Sequence, residues 1–86
     1  MDSIKNQILN KICYTEAVYD RINRKIGTNF SKKEIEDFTL KVLNETKEEN
    51  IVKKGKNYYV NNIERNIRIT ISSFTFRAIT MDKISP

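Results

Sequence analysis

Basic and aromatic side chains are concentrated in one short stretch, residues 53–59, which reads Lys-Lys-Gly-Lys-Asn-Tyr-Tyr. Lysine ammonium groups attract polyanions and acidic protein surfaces over long distances, in a salt-sensitive way. Tyrosine rings stack on nucleic-acid bases or pack against a protein. Two lysines that face each other across a hairpin repel by roughly a few tenths of a kcal/mol, and an anionic partner reverses that sign. The stretch therefore has the chemistry of a polyanion-binding site, although lysines also keep a sheet edge soluble and discourage strand addition.

The net charge is distributed unevenly along the chain. Its 86 residues include 16 basic and 11 acidic ones, which gives a net charge of +5. Residues 50–86 carry seven basic and two acidic residues, whereas residues 31–49 carry four and six. Arg68 and Arg77 lie between apolar neighbours that need the inner face of a sheet, so we expect both to point outward. We predict one electropositive partner-binding surface that binds nucleic acid or an acidic protein surface, formed by Lys53, Lys54, Lys56, Tyr58, Tyr59, Arg68 and Arg77.

The residue types on which most enzymes depend are scarce. The chain contains no histidine, the most common general acid or base near neutral pH. No histidine is present to activate its single cysteine, Cys13, and one cysteine is not enough to form a metal site. We therefore expect Cys13 to be a small buried apolar residue. Glu45, Glu48 and Glu49 are expected to form a solvated helix end rather than a cation site. We predict a non-enzymatic protein with no catalytic residues, no cofactor and no metal.

Helical periodicity is confined to the first half of the chain. Apolar residues at helical spacing predict three helices, over about 3–13, 16–26 and 32–48. Gly27 is expected to end the second helix in the left-handed conformation. Ser31 and Glu34 have the spacing of a capping box at the start of the third helix, and Phe30 precedes it as a hydrophobic staple would. The positions expected in the core are Ile8, Val18, Ile22, Ile26, Ile35, Phe38, Val42 and Leu43.

Strand alternation follows in the second half. A hairpin pairs residues 51–53 with 56–61 around Gly55, either through a two-residue Lys54-Gly55 turn that places Lys53 opposite Lys56, or through a longer loop with a bulge. Ile67, Ile69 and Ile71 alternate with polar residues as in a half-buried strand. The alternation then changes phase at 72–75, which indicates a turn into a strand over about 76–82 in preference to a bulge.

The fold class follows from this order of elements. We predict an α+β fold in which three N-terminal helices pack on a C-terminal antiparallel sheet of three or four strands. We expect one domain over 1–86, with a helical part over 1–49 and a sheet part over 50–84. The first residues lack the apolar segment of a signal peptide, and no apolar run is long enough to cross a membrane. We therefore expect a cytoplasmic protein without a membrane partner.

The order of two helices, a glycine-containing turn, a capped helix and a basic hairpin over residues 15–60 resembles a winged helix-turn-helix. In that fold the third helix reads the DNA major groove and the hairpin contacts phosphate. Here the third helix begins with Glu34, Glu36 and Asp37, which would repel phosphate despite Lys32 and Lys33. The resemblance therefore implies contact through the hairpin rather than groove reading by the helix.

Four longer runs carry a second resemblance. They are Cys-Tyr-Thr-Glu at 13–16, Lys-Ile-Gly-Thr-Asn-Phe-Ser-Lys-Lys-Glu-Ile-Glu-Asp-Phe at 25–38, Ile-Val-Lys-Lys-Gly-Lys-Asn-Tyr-Tyr-Val at 51–60 and Asn-Ile-Arg-Ile-Thr-Ile at 66–71. Together they resemble a family of small bacterial proteins known only as a domain of unknown function. The resemblance implies a small bacterial or phage-borne domain and supplies no activity and no functional residues.

Two functions from different classes remain. The first is a binding protein whose basic sheet and hairpin engage nucleic acid or a nucleic-acid-handling complex. The second is a protein–protein inhibitor or adaptor, such as a phage-type inhibitor of a host nuclease, since exposed Tyr and Arg are enriched at interface hot spots. Salt dependence separates them, because phosphate binding weakens steeply with salt and a largely apolar protein interface does not.

Overall fold

Three helices precede a four-stranded antiparallel sheet in the computed structural model, which describes residues 3–84. The ends of the predicted domain 1–86 lie outside these residues. The elements are α1 (Ile4–Lys11), α2 (Glu16–Ile26), α3 (Lys32–Glu45), a short 3-10 turn (Glu48–Asn50), β1 (Ile51–Lys54), β2 (Asn57–Asn62), β3 (Ile67–Ser72) and β4 (Ala78–Lys83). The strands follow one another in the order β1-β2-β3-β4. The predicted α+β class is confirmed, with four strands in the sheet.

The helix ends follow local sequence signals at two of the predicted positions. Ser31 Oγ accepts a hydrogen bond from the Glu34 N–H (3.2 Å), and a Glu34 carboxylate oxygen accepts one from the Ser31 N–H (2.9 Å). This is a complete capping box, and it satisfies two backbone donors at the start of α3. Gly27 ends α2 with a φ of 72°, a conformation that costs glycine little. Both predictions are confirmed.

The third helix ends earlier than its sequence indicates. Its last residue is Glu45 rather than residue 48, because Thr46 turns to an extended conformation. The buried Asn62 side chain on β2 donates to the Val42 carbonyl (3.2 Å) and to Thr46 Oγ1 (3.1 Å). Thr46 also donates its hydroxyl to the Val42 carbonyl (2.7 Å). A contact from the sheet therefore ends this helix, and local spacing does not reveal it.

The hydrophobic core lies between the helices and one face of the sheet, which we call the inner face. Val60 and Ile69 are register partners in its central row, and both are completely buried, as is Met81 opposite Ile69. Ile51 lies opposite Val60 at the other side of the same row. The helices contribute most of the predicted positions, namely Ile8, Val18, Ile22, Ile26, Ile35, Val42 and Leu43, with Phe38 only partly buried against them. Apolar burial on this scale is the main driving force for the fold.

The first hairpin turns one residue later than the Lys54-Gly55 alternative predicts. Gly55 and Lys56 form the two-residue turn, Lys54 lies opposite Asn57, and Lys53 lies opposite Tyr58. Gly55 occupies the first turn position with a φ of 62°, as a type II′ turn requires. The pairing register differs from the prediction by two residues, so each side chain keeps its face. Lys53 and Lys56 therefore do not face each other, while Ile51, Tyr58 and Val60 do share the inner face.

The predicted turn between the last two strands is confirmed. Residues 73–75 form it, and the Phe76 N–H donates to the Ser72 carbonyl (3.0 Å) across it. Phe76 leaves the turn with a φ of 59°, a left-handed conformation that is uncommon for an aromatic residue. A separate irregularity interrupts the β3–β4 pairing between Thr70 and Ile71, opposite β4. This irregularity lies before residues 72–75, so the change of phase there is due to the turn and not to a bulge.

Cys13 does not occupy the buried position expected for it. It lies beyond the end of α1, where its backbone forms a parallel bridge with Arg77, and its side chain is exposed. The Cys13 N–H donates to the Phe76 carbonyl and its carbonyl accepts from the Ala78 N–H. The α1–α2 connection thereby covers the start of β4. The thiol adds a hydrogen bond to the Thr75 carbonyl (3.6 Å), so Cys13 makes polar contacts here in place of the apolar burial expected for it.

Candidate functional site

The face of the sheet opposite the helices, which we call the outer face, carries a mixture of basic, aromatic and small polar side chains. It is formed by Val52, Lys54, Asn57, Tyr59, Asn61, Arg68, Thr70, Ser72, Thr80 and Asp82, as the strand register shows. Val52, Tyr59, Thr70 and Thr80 make one row across all four strands. Strand alternation directs these side chains away from the core. Of the predicted site residues, Lys54, Tyr59 and Arg68 come together on this face.

Arg68 and Tyr59 form a stacked pair near the middle of the outer face. The Arg68 guanidinium carbon lies 5.9 Å from the centre of the Tyr59 ring, a cation–π distance. Arg68 Nε donates to the Asn61 side-chain oxygen at 2.7 Å, which holds the guanidinium in place. Its two terminal nitrogens donate to no other described side chain. The pair therefore presents a positive charge above an aromatic ring, with guanidinium donors that no other described side chain accepts.

The two turns at one end of the sheet lie side by side. Ser73 donates to the Lys56 carbonyl through both its N–H (2.9 Å) and its hydroxyl (2.8 Å). These bonds join the Gly55-Lys56 turn to the 73–75 turn, and we call this end of the sheet the tip. Phe74, next to Ser73, is 73% exposed, the largest value among the exposed large apolar residues described. An aromatic side chain therefore projects beside Lys56.

The cations at the tip have no acidic partner among residues 3–84. Lys53, Lys54, Lys56 and Arg77 are all exposed, and none of them forms an ion pair with a described residue. Lys11 reaches the same end, since its ammonium group lies 5.1 Å from the centre of the Phe76 ring. Positive charges gathered without counter-charges create a potential that attracts anions.

Two predicted site residues lie elsewhere than the predicted surface requires. Tyr58 is only 9% exposed and packs in the core, with its ring 6.0 Å from that of Phe76, so it is not available to a partner. Its place on the inner face with Ile51 and Val60 explains this burial. Lys53 is exposed but lies in the inner-face row of Tyr58, at the edge of the sheet. The surface is therefore the outer face plus the tip, with Lys53 at its border.

Two residues at the tip were not found by sequence reasoning. Phe74 continues an apolar alternation with Phe76 and Ala78, which gives it the appearance of a core residue, yet the turn places it outside. Lys11 belongs to α1 and reaches the tip only through the tertiary contact with Phe76. The change in strand alternation leaves open whether Phe74 is buried or exposed. No local sequence pattern indicates that Lys11 lies at the tip.

Several polar side chains at and around the start of α3 are paired within the helix layer. Lys32 binds Glu16 at 2.7 Å, and Lys33 lies 3.8 Å from Asp37. The Tyr19 hydroxyl donates to a Glu36 carboxylate oxygen at 2.6 Å, and this bond, with partial burial, raises the pKa of Tyr19 to about 12. The side chains at the start of α3 that a groove-reading helix would offer to DNA are thus already engaged.

The opposite end of the sheet, which we call the far end, contains acidic residues. It is formed by the 63–66 loop and the C-terminal end of α3, and Glu45, Glu49 and Glu64 line a cavity of about 300 Å³ there. Glu45 binds Arg65 through two bonds, of 2.6 and 3.1 Å. This pairing holds the pKa of the Glu45 carboxyl below its ordinary value and raises the pKa of Arg65. No group of three metal-ligating side chains occurs within residues 3–84.

A protein family of unknown function, DUF3781, matches residues 6–82. The chain belongs to this family. The match includes all four strands except the last residue of β4, and nearly all of the three helices. It therefore covers the outer face and the tip together with the helix layer that supports them.

Membership of DUF3781 supplies no activity, because the family itself is defined without one. No curated protein and no solved structure matches the chain. Within residues 3–84, no helix is long and apolar enough to cross a membrane. We therefore infer function from the geometry and charge of the outer face and the tip.

Proposed function

We propose that this DUF3781 protein is a non-enzymatic, cytoplasmic binding protein that engages nucleic acid, alone or within a nucleic-acid-handling complex, through its outer face and tip. The observation that supports this most directly is the grouping of Lys54, Lys56 and Arg77 with the Tyr59–Arg68 pair, without an acidic partner for any of them within the described chain. Basic side chains neutralise phosphates and release counterions, while aromatic rings give bases a surface to stack on.

Among the described outer-face residues one is acidic, and its position supports the same proposal. Asp82 lies opposite Arg68 in the register, and its carboxylate oxygen is 3.6 Å from the Lys25 ammonium group. Lys25 on α2 therefore offsets the charge of Asp82, and the positive charge of Arg68 and of the tip remains in excess. A phosphate backbone that crosses this face meets no unpaired carboxylate among the described outer-face residues.

A protein partner is the second candidate, and two exposed apolar side chains favour it. Phe74 at the tip and Val52 on β1 are 73% and 47% exposed, and both lie next to basic residues. An aromatic anchor beside lysines suits an acidic protein surface with an apolar pocket, as a phage-type nuclease inhibitor would require. Such an interface depends on Phe74 more than on the number of lysines, so its affinity falls less steeply with salt than phosphate binding does.

The test reverses the charge at the tip. The variant Lys53→Glu/Lys54→Glu/Lys56→Glu is compared with Arg24→Glu/Lys41→Glu/Lys47→Glu, which changes the net charge equally at exposed positions of the helical half. Binding of a labelled mixed-sequence oligonucleotide is measured by fluorescence anisotropy between about 50 and 200 mM salt, a range over which several phosphate contacts lose orders of magnitude in affinity. Circular dichroism checks that each variant folds.

We expect the tip variant to lose about 100-fold or more in affinity, and its salt slope to fall by about 2, since each phosphate contact contributes about 0.7–0.9 to that slope. The helical-half variant is expected to lose much less. If the tip variant folds and binds as tightly as the wild type across the salt range, the lysines serve only solubility and the proposal is wrong. Equal losses in both variants would indicate binding by net charge alone, without a site.

A further inference from the structure

A shallow groove crosses the outer face beside β1. It encloses about 460 Å³ and is lined by Val52, Lys54, Gly55, Tyr59, Asn61 and Arg68. A volume of this size is in the range of sites that hold one small organic group. Its lining combines an apolar side chain, an aromatic ring, an amide and two cations. This combination suits a flat, polar, aromatic group attached to an anion, which is the chemistry of a nucleotide.

The Tyr59–Arg68 pair determines how such a group can lie in the groove. Tyr59 is partly exposed, and its ring extends away from the core because its neighbours Tyr58 and Val60 point inward. The Arg68 guanidinium, held by Asn61, lies over the Tyr59 ring, so a base can stack on the guanidinium or on the part of the ring that it leaves uncovered. Bases stack on both tyrosine rings and guanidinium planes, and such stacking tolerates any base because every base has a π face.

A base inside a double helix cannot reach this surface. In a duplex the π faces are covered by the neighbouring base pairs, and only base edges are accessible from the grooves. Entry into a major groove requires a projecting helix or a two-stranded ribbon, whereas the outer face is four strands wide. The helix layer lies on the opposite side of the sheet. The shape of the face therefore suits an unpaired strand whose bases are free to turn toward the protein.

We propose that the nucleic acid bound by this protein is single-stranded, and that Tyr59 together with Arg68 stacks one of its bases while Lys54 and Lys56 contact the adjacent phosphates. This inference rests on the proposed function. Lys54 lies two residues from Val52, the register partner of Tyr59, so a phosphate about one residue pair (~7 Å) toward the tip comes within its reach. Phe74 offers a second aromatic ring beyond Lys56.

The test compares strands with and without pairing. Fluorescein-labelled single-stranded DNA of about 12 nucleotides, RNA of the same sequence and the corresponding DNA duplex are titrated with wild type, Tyr59→Ala, Tyr59→Phe and Arg68→Lys. We expect the wild type to bind the single strands at least about tenfold more tightly than the duplex. Tyr59→Ala should weaken single-strand binding about 5- to 150-fold, the effect of losing one stacked base.

The conservative variants separate stacking from charge and fold. Tyr59→Phe keeps the ring and is expected to bind within about twofold of the wild type, while Arg68→Lys keeps the charge, loses the guanidinium plane and should be intermediate. Tighter binding of either RNA or DNA supports the inference and identifies the sugar that the face prefers. Thermal melts show whether Tyr59→Ala is folded. Tyr59→Phe is the control at the same position, because it keeps the ring and leaves no gap in the packing.

Two results would overturn the inference in different ways. Equal or tighter binding of the duplex, or a Tyr59→Ala variant that folds and loses nothing on single strands, excludes base stacking at this site and leaves the proposed function intact if the tip lysines still matter. Absence of binding to every single strand and to the duplex overturns both the proposed function and this inference. The second candidate function, binding to an acidic protein surface, is then favoured.

Discussion

The two ends of the sheet carry similar numbers of charged residues and use them differently. At the far end, Arg65 forms a two-bond pair with Glu45, and its guanidinium also lies 5.7 Å from the centre of the Phe38 ring. At the tip, Lys54 and Lys56 have no acidic partner within the described residues. Charge at the far end joins a loop to a helix and contributes to the fold. The lysines of the tip hairpin form no such pair within the described residues, so we expect them to contribute less to the fold.

The largest effect is expected from removing the buried polar residue that connects β2, the end of α3 and the 63–66 loop at the far end. Asn62 is 3% exposed, donates to Val42 and Thr46, and accepts from the Arg65 N–H (2.9 Å). Asn62→Ala removes these bonds and leaves a buried gap, so we expect it to cost about 2–3 kcal/mol of unfolding free energy. Urea unfolding with an unchanged slope measures this loss.

Asn57 on the same strand is the matched control at the tip. Its side chain makes no hydrogen bond with another described residue and lies on the outer face. We expect Asn57→Ala to change stability by no more than about 0.5 kcal/mol. Similar losses from both substitutions would show that the two ends contribute equally to the fold, and the comparison would fail.

Structures formed by neighbouring residues could be predicted well from the sequence, and those formed by distant contacts could not. The capping box at Ser31 and the left-handed end at Gly27 involve residues no more than a few positions apart, so spacing identifies them. The hairpin turn is a harder case, because Lys54-Gly55 and Gly55-Lys56 both provide a glycine for a two-residue loop. The pairing of β2 with β3 and the helices decides between them.

The candidate site shows the same division. Lys54 and Tyr59 were predicted from the composition of the basic stretch and Arg68 from strand alternation, and the structure brings the three together on one face. Tyr58 was included because it is adjacent to Tyr59 in the basic stretch, although the same alternation places it with Ile51 and Val60. Lys11 reaches the tip through a contact between elements far apart in the chain, which no local pattern records, whereas Phe74 is exposed because it lies in the local 73–75 turn.

A smaller effect is expected in the helix layer, which supports the sheet without belonging to either end. Ser31→Ala removes the acceptor for the Glu34 N–H and should cost about 1 kcal/mol. In a protein of this size that corresponds to about 4–8 °C in Tm. Ser31→Asp keeps an acceptor and is expected to recover most of the loss. Oligonucleotide affinity should stay unchanged, because Ser31 is remote from the tip; an unchanged denaturation midpoint would show that Ser31 does not cap α3.

The smallest expected effect concerns pH, and it distinguishes paired from unpaired charge directly. Arg65 lowers the pKa of Glu45 below its ordinary value of 4.5, so the carboxylate binds its partner more favourably in the folded state than in the unfolded chain. The resulting stabilisation is fully present above pH 4.5 and is lost as the pH falls through the lower, folded-state pKa. We expect Glu45→Gln to be less stable than the wild type at pH 7, with a difference in unfolding free energy that shrinks toward pH 3, as thermal melts at both pH values would measure.

Lys54→Gln at the tip is the control. It removes a charge that has no carboxylate partner among the described residues, so its difference in stability from the wild type should not depend on pH over this range. A Glu45→Gln difference that is equally independent of pH would mean that the far-end pair contributes no more to the fold than the free lysines do.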